Sequence, residues 1–157
     1  MPSSVIELEI NGEPQEFLAK PGTTLLSALR DTLGLTAAKR GCEQGTCGTC
    51  TCVLDGDAVM SCLVPVETVS GSSVTTLEGT TPTDGSLSRL QQAFLDGFAT
   101  QCGFCTPGMI MAAEVLLAEN PSPTREDVVR AISGNVCRCT GYESIIRAIL
   151  AAAEAPS

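Results

Sequence analysis

The sequence has no histidine and no tryptophan, a single tyrosine and only four phenylalanines in 157 residues. Without histidine there is no Rieske-type or histidine-held haem iron, no imidazole-built catalytic zinc site and no imidazole acid or base. Aromatic side chains on which bases could stack are scarce, and a formal charge of −9 repels phosphate, which argues against nucleic acid as a partner. No run of about 18 uncharged apolar residues occurs, so no segment is expected to span a membrane. The first ten residues lack a basic stretch followed by an apolar one, and there is no twin arginine, so the expected compartment is the cytoplasm. Hydrophobic residues still make up 43%, enough for a folded chain with an aliphatic core.

Against these absences stand nine cysteines. Eight fall into two sets of four with different spacing. The first reads Cys42-x4-Cys47-x2-Cys50 with Cys62 eleven residues further on; the second pairs Cys102-x2-Cys105 with a distant Cys137-x-Cys139. The first spacing is that of plant-type [2Fe–2S] proteins, in which four thiolates hold two irons. An odd total, a reducing compartment and a Cys-x-Cys pair argue against a disulfide framework. Zinc is the nearer rival, because Cys-x2-Cys with a distant pair can close a tetrahedron. Three thiolates in one tight loop suit a two-iron rhomb better than one tetrahedral ion. The ninth thiol, Cys52, enters a strand two residues after Cys50 and reads as a buried apolar residue, with ligation in place of Cys62 as the alternative.

The chain divides at a linker over residues 77–85, LEGTTPTDG, which is rich in Gly, Thr and Pro and without periodicity. Before it, residues 5–10 and 15–19 read as two strands joined by Asn11-Gly12, and 52–54 and 58–61 as two more around Asp55-Gly56. A helix capped by Thr23 or Thr24 carries Leu25, Leu26, Leu29 and Leu33, and residues 73–76 form a last strand. After the linker the pattern is helical. Leu87, Leu90, Phe94 and Phe98 share one face. Pro107 opens a second helix over 108–119 that is apolar nearly all round and therefore central. Thr124 caps a third, with Val128, Val129 and Ile132 inside. Thr140 and Glu143 form a capping box for a fourth, whose face is Tyr142, Ile145, Ile146, Ile149, Leu150 and Ala153. The expected fold class is α+β: a small sheet domain over 1–80, then a bundle of four helices over 81–157.

Both thiol sets sit where backbone can offset charge. Gly41, Gly45 and Gly48 interrupt the first loop and permit close approach of N–H groups. Cys102 and Cys105 precede the second predicted helix, and Cys137 and Cys139 precede the fourth, so two helix N-termini face one anionic group. Arg138 either adds positive charge there or is an exposed loop residue.

GCEQGTCGTC at 41–50, Cys62, QCGFCTPGMI at 101–110 and GNVCRCTGYESI at 134–145 together resemble the small iron–sulfur subunit of the molybdenum hydroxylases, the xanthine oxidase and carbon monoxide dehydrogenase family. The resemblance spans about residues 5–152. It implies a β-grasp plant-type ferredoxin domain followed by a four-helix-bundle domain, each with one [2Fe–2S] cluster. It further implies an electron-transfer role in a cytoplasmic complex. A large subunit would carry molybdopterin, as the cytosine dinucleotide, and a medium subunit FAD, assembled as a dimer of heterotrimers. By the same resemblance, Gln101 hydrogen-bonds the pterin and Cys139 lies against its amino group. Cys52 departs from the β-branched residue usual there. The alternatives are a free two-cluster carrier and a zinc-binding interaction module.

The isolated chain is expected to hold about four irons and about four acid-labile sulfides and to give two distinct rhombic EPR signals on reduction. Metal and sulfide analysis with low-temperature EPR checks this. Stoichiometric zinc without sulfide would overturn it.

Overall fold

The computed structural model of the chain describes residues 2–155. The outer ends of the two expected ranges, residue 1 and residues 156–157, lie outside them. Strands β1 (Ser4–Ile10) and β2 (Glu13–Ala19) form an antiparallel hairpin in which Ile6 faces Phe17. Its turn is Asn11-Gly12, both at positive φ, as the sequence predicts. Alternation puts Ile6, Leu8 and Ile10 on the buried face and the intervening Glu7 and Glu9 outside.

Thr24 caps α1 (Leu25–Ser27), its hydroxyl accepting the Ser27 N–H at 3.1 Å. The helix is shorter than the leucine spacing suggests. It widens into a π-helical segment, Ala28–Thr32, in which the Leu33 N–H reaches the Ala28 carbonyl at 3.0 Å. Leu25, Leu26 and Leu29 are buried all the same.

β3 (Thr51–Leu54) and β4 (Asp57–Met60) pair antiparallel, and a 3-10 turn, Ser61–Leu63, follows. After a second 3-10 turn, Val66–Thr68, β5 (Ser73–Thr75) lies parallel to β1 and antiparallel to β3. The sheet order is β2-β1-β5-β3-β4.

The expected linker is structured at its start. Leu77–Thr80 form a short helix, α2, and Leu77 is packed against the helical core. The Glu78 carboxylate accepts the Ala37 N–H at 2.8 Å, and the Thr76 N–H donates to Asn11 at 2.8 Å, tying this segment to the sheet. An apolar side chain with a core to enter, and polar neighbours with partners, override the loop-like composition.

Four further helices follow. α3 (Arg89–Asp96) carries a capping box between Ser88 and Gln91. Leu90 and Phe94 are buried, but Leu87 and Phe98 at the ends of the predicted face are exposed, because the helix covers only the middle of that pattern. α4 (Thr106–Glu119) has Pro107 in its first turn and is buried from Pro107 through Ala113; it packs on β3 as well as on α3 and α5. α5 (Arg125–Ala131) is capped by Thr124 and Asp127, with Val128 and Ile132 buried and Val129 turned outward, against expectation. α6 (Glu143–Glu154) buries Ile145, Ile146 and Ile149. The capping box expected from Thr140 and Glu143 does not form. The N-cap is Tyr142, at φ +69 and without a side-chain cap, because the Thr140 hydroxyl is engaged elsewhere.

Two main cores result. Ile6, Leu8, Leu25, Leu29, Val66 and Val74 centre the sheet half, and Phe94, Met109, Val128, Ile145 and Ile149 the helical half. The architecture is α+β, a mixed sheet followed by helices. Among the described residues no helix is long and apolar enough to cross a membrane.

Candidate metal centres

The first four thiols meet where the loop ahead of β3 approaches the 3-10 turn after β4. Cys42 Sγ accepts N–H groups from Gln44 at 3.5 Å and Thr46 at 3.4 Å. The Thr46 hydroxyl first, and these N–H groups next, hold its thiol down at about 6. The Thr49 hydroxyl lies 3.2 Å from Cys47 Sγ. Cys62 is pushed up to about 11 by burial and then by Cys50 beside it. The sulfurs group in twos, Cys42 with Cys47 and Cys50 with Cys62, and Cys62 also feels the charge of Cys42. A side chain at Gly41 would stand 2.9 Å from Cys47 Sγ and 3.5 Å from the Phe104 ring, so that wall must be bare backbone.

The second four converge at the head of the helices. Cys105 is the N-cap of α4, Cys102 lies three residues before it, and Cys137 and Cys139 come from the loop between α5 and α6. Here too the sulfurs group in twos. Cys139 Sγ is 3.6 Å from Cys102 Sγ, and Cys105 pairs with Cys137. Burial, then Cys137, pushes Cys105 up to about 12. Burial also acts to raise Cys137, but the Thr140 hydroxyl at 3.1 Å and N–H at 3.5 Å hold it below the usual thiol value. Cys139 is raised, chiefly by Cys102. Cys105 and Cys137 are buried, whereas Cys102 and Cys139 face solvent. The Tyr142 hydroxyl accepts the Cys137 N–H at 2.9 Å.

Each set of four thiols thus has its members as neighbours, within the loops described. Among the described residues no three metal-ligating side chains surround a single ion-sized point. The two-and-two grouping is what a rhomb of two irons asks for, each iron taking two thiolates. Thiolates gathered this closely repel unless cations lie between them, and the N–H and hydroxyl donors around them supply further compensation. The residues present thus fit a [2Fe–2S] group at each site.

Cys52 is apart from both sets. It has no exposed surface, lies on β3 in the sheet core with Val66 and Val74, and is pushed up to about 12 by burial. Gln101 is at the rim of the second set, its Nε2 donating to the Cys139 carbonyl at 3.1 Å. Sequence reasoning missed the hydroxyls of Thr46, Thr49, Thr140 and Tyr142. Their signal was present, since each threonine stands within three residues of a predicted ligand.

Residues 8–80 match the family described as 2Fe-2S iron-sulfur cluster binding domain, and residues 76–150 the family described as [2Fe-2S] binding domain. The chain is 47% identical over 149 residues to the nicotinate dehydrogenase small FeS subunit of Eubacterium barkeri, covering 95% of this chain and 94% of that one. It is 48% identical over 145 residues to the nicotine 6-hydroxylase small subunit of Paenarthrobacter nicotinovorans, covering 92% and 87%. Among solved structures it resembles quinoline 2-oxidoreductase from Pseudomonas putida 86, with a TM-score of 0.94 and 47% identity, covering 98% of this chain and 96% of that one.

Cys62→Ser is expected to abolish one of two EPR signals, and Cys52→Ser to keep both. Cys52→Ser should lose about 1–3 kcal/mol of stability, from a hydroxyl in an apolar site. Loss of a signal in Cys52→Ser would reassign the fourth ligand of the first set.

Proposed function

We propose, from the premise that this chain belongs to the iron–sulfur small-subunit family of the molybdenum hydroxylases, a specific assignment of its thiols and of its place in the complex. It is an electron-transfer redox subunit of a multi-subunit oxidoreductase. Cys42, Cys47, Cys50 and Cys62 hold one [2Fe–2S] cluster, and Cys102, Cys105, Cys137 and Cys139 hold the other. The clusters supply reversible one-electron storage at each site. The observation that carries this assignment is the close approach of thiols with hydrogen-bond donors turned on them: Cys139 Sγ at 3.6 Å from Cys102 Sγ, the Gln44 and Thr46 N–H groups on Cys42, and Thr140 on Cys137.

Residues 1–80 are a β-grasp ferredoxin-type domain and 81–157 a four-helix bundle. The separate hydrophobic cores of the sheet and helical halves support that division. The partners are a large subunit with molybdopterin as the cytosine dinucleotide and a medium subunit with FAD, in a cytoplasmic dimer of heterotrimers.

The exposed rim of the second set supports docking of the molybdenum-bearing subunit there. Cys102, Cys139 and Gln101 all face outward. Phe98 is 84% exposed and closes α3 at φ +48, the position where a helix end of this kind favours glycine. A left-handed backbone costs about 1–2 kcal/mol for a residue with a side chain. Neither backbone preference nor burial accounts for an aromatic residue at that place, whereas an interface does. Phe104, on the other side of Gln101, is also half exposed. A free carrier has no use for such a rim. Substrate is selected on the molybdenum-bearing subunit and is not encoded in these residues.

Gln101 offers a fixed amide, donor and acceptor together, to a pterin edge. Gln101→Ala should leave both clusters intact and slow their bleaching by substrate in the assembled complex, while bleaching by dithionite is unchanged. Leaving a pterin polar group unpaired would cost about 1–3 kcal/mol. Stopped-flow bleaching with each reductant decides it. Unaltered substrate-driven bleaching at full cofactor occupancy would remove Gln101 from the electron-entry site.

A further inference from the structure

The seam between the halves passes between the two thiol sets and is polar at its centre. Asn135, two residues before Cys137, is only 6% exposed. Its Nδ2 donates to the Gly48 carbonyl at 2.8 Å and to the Thr51 hydroxyl at 3.2 Å. The next residue, Val136, donates its N–H to the Cys47 carbonyl at 2.9 Å. Two consecutive residues of the second loop are thus bonded to two consecutive residues of the first. On one strand of this bridge Cys47 is itself an expected ligand, and on the other Val136 adjoins Cys137.

Backbone contact closes the remaining space. Gly48 is at φ +68, and a side chain there would collide with the Gly134 carbonyl and stand 2.8 Å from Asn135 Nδ2. A side chain at Gly108, three residues after Cys105, would collide with the Gly48 carbonyl and stand 3.0 Å from the same amide nitrogen. Burying an amide is unfavourable unless it is bonded, and an apolar residue would suffice merely to glue the halves. A bonded amide adds direction and length to the contact, which apolar packing does not.

We propose that Asn135 is a positioning residue that fixes the separation and relative orientation of the two clusters, and through them the exchange of single electrons between the sites. This rests on the assignment of two [2Fe–2S] clusters made above. The hydrogen bonds of the Asn135 side chain go to Gly48 and Thr51 rather than to an expected ligand sulfur; it acts through Gly48 on the first loop and through Val136 and Cys137 on the second.

The test is low-temperature EPR of the fully reduced full-length chain. Two paramagnetic clusters held at fixed distance split one another's signals, and that splitting depends on separation and orientation. Iron and sulfide are assayed on each sample. Asn135→Ala removes the amide, and Asn135→Asp keeps its shape while replacing the donor by a carboxylate facing the Gly48 carbonyl. Thr51→Val, which removes both hydroxyl contacts of Thr51 but leaves the Asn135 amide bonded to the Gly48 carbonyl, is the control. The expected result is full iron content with altered or lost splitting in both Asn135 variants, and wild-type splitting in Thr51→Val. Wild-type splitting in both Asn135 variants at full iron content would overturn the proposal. So would loss of iron from both variants, which would make Asn135 a structural residue. A wild-type chain lacking two iron signals would sink the cluster assignment itself, a failure recognisable before any variant is compared.

Discussion

The constraint on which the structure turns is mutual repulsion between thiolates. A two-iron centre with four thiolate ligands carries about −2 when oxidised and about −3 when reduced, by charge counting. Two such centres, as proposed above, would add to a formal charge that is already −9. The local architecture answers this with dipoles more than with cations. N–H groups of Gln44 and Thr46 point at Cys42, and the N–H and hydroxyl of Thr140 at Cys137. The N-terminus of α4 begins on Cys105, where the helix dipole favours negative charge. Such dipoles are fixed by the fold and need no solvent rearrangement when the charge changes.

The same backbone that faces the sulfurs also joins the halves. Gly48 lies between Cys47 and Cys50, and its carbonyl is the acceptor for Asn135. Thr51 donates its hydroxyl to that carbonyl at 2.7 Å and accepts from Asn135. The loop cannot therefore adopt its sulfur-facing shape independently of the helical half. Pressing α4 onto β3 brings its glycine-containing first turn to the same place. Site geometry and packing between the halves are one problem with one solution, even though the sheet and the helices keep separate hydrophobic cores.

What was legible in the sequence was local. The Asn11-Gly12 and Asp55-Gly56 turns, the alternating β1 and the apolar α4 each carry their signal within about a dozen residues, and each is found in the structure. Less legible was whatever depends on a distant partner. The composition of residues 77–85 reads as a linker, yet Leu77 enters the helical core and Glu78 meets Ala37. Thr140 reads as a helix cap, yet its hydroxyl belongs to Cys137. Asn135 follows the last apolar position of the third predicted helix, and its bond to Gly48 spans 87 positions, which leaves no periodic trace. In each case a residue with a good local use was claimed by a contact made only after folding.

Backbone outliers separate local from distant demands in the same way. Among the described residues, five besides glycine have positive φ: Asn11, Glu43, Asp55, Phe98 and Tyr142. Asn11 and Asp55 occupy hairpin turns, where their residue types tolerate the left-handed region. The other three have no such excuse, and all three lie beside a thiol set. Glu43 follows Cys42, Phe98 precedes the rim formed by Gln101 and Cys102, and Tyr142 turns its hydroxyl onto the Cys137 N–H. Such strain persists only where surrounding structure enforces it, and it gathers at functional sites. Tyr142 is enforced from within, by its bond to the second loop and by packing on the helical core. Phe98 is enforced by the helix end alone, with the Ala99 N–H returning to the Phe94 carbonyl at 2.9 Å, and its ring is left in solvent. Burial within the chain does not account for a side chain at that enforced position. That ring stands three residues before Gln101, so the docking proposed above for the exposed rim of Cys102 and Cys139 would give it the contact the chain itself does not supply.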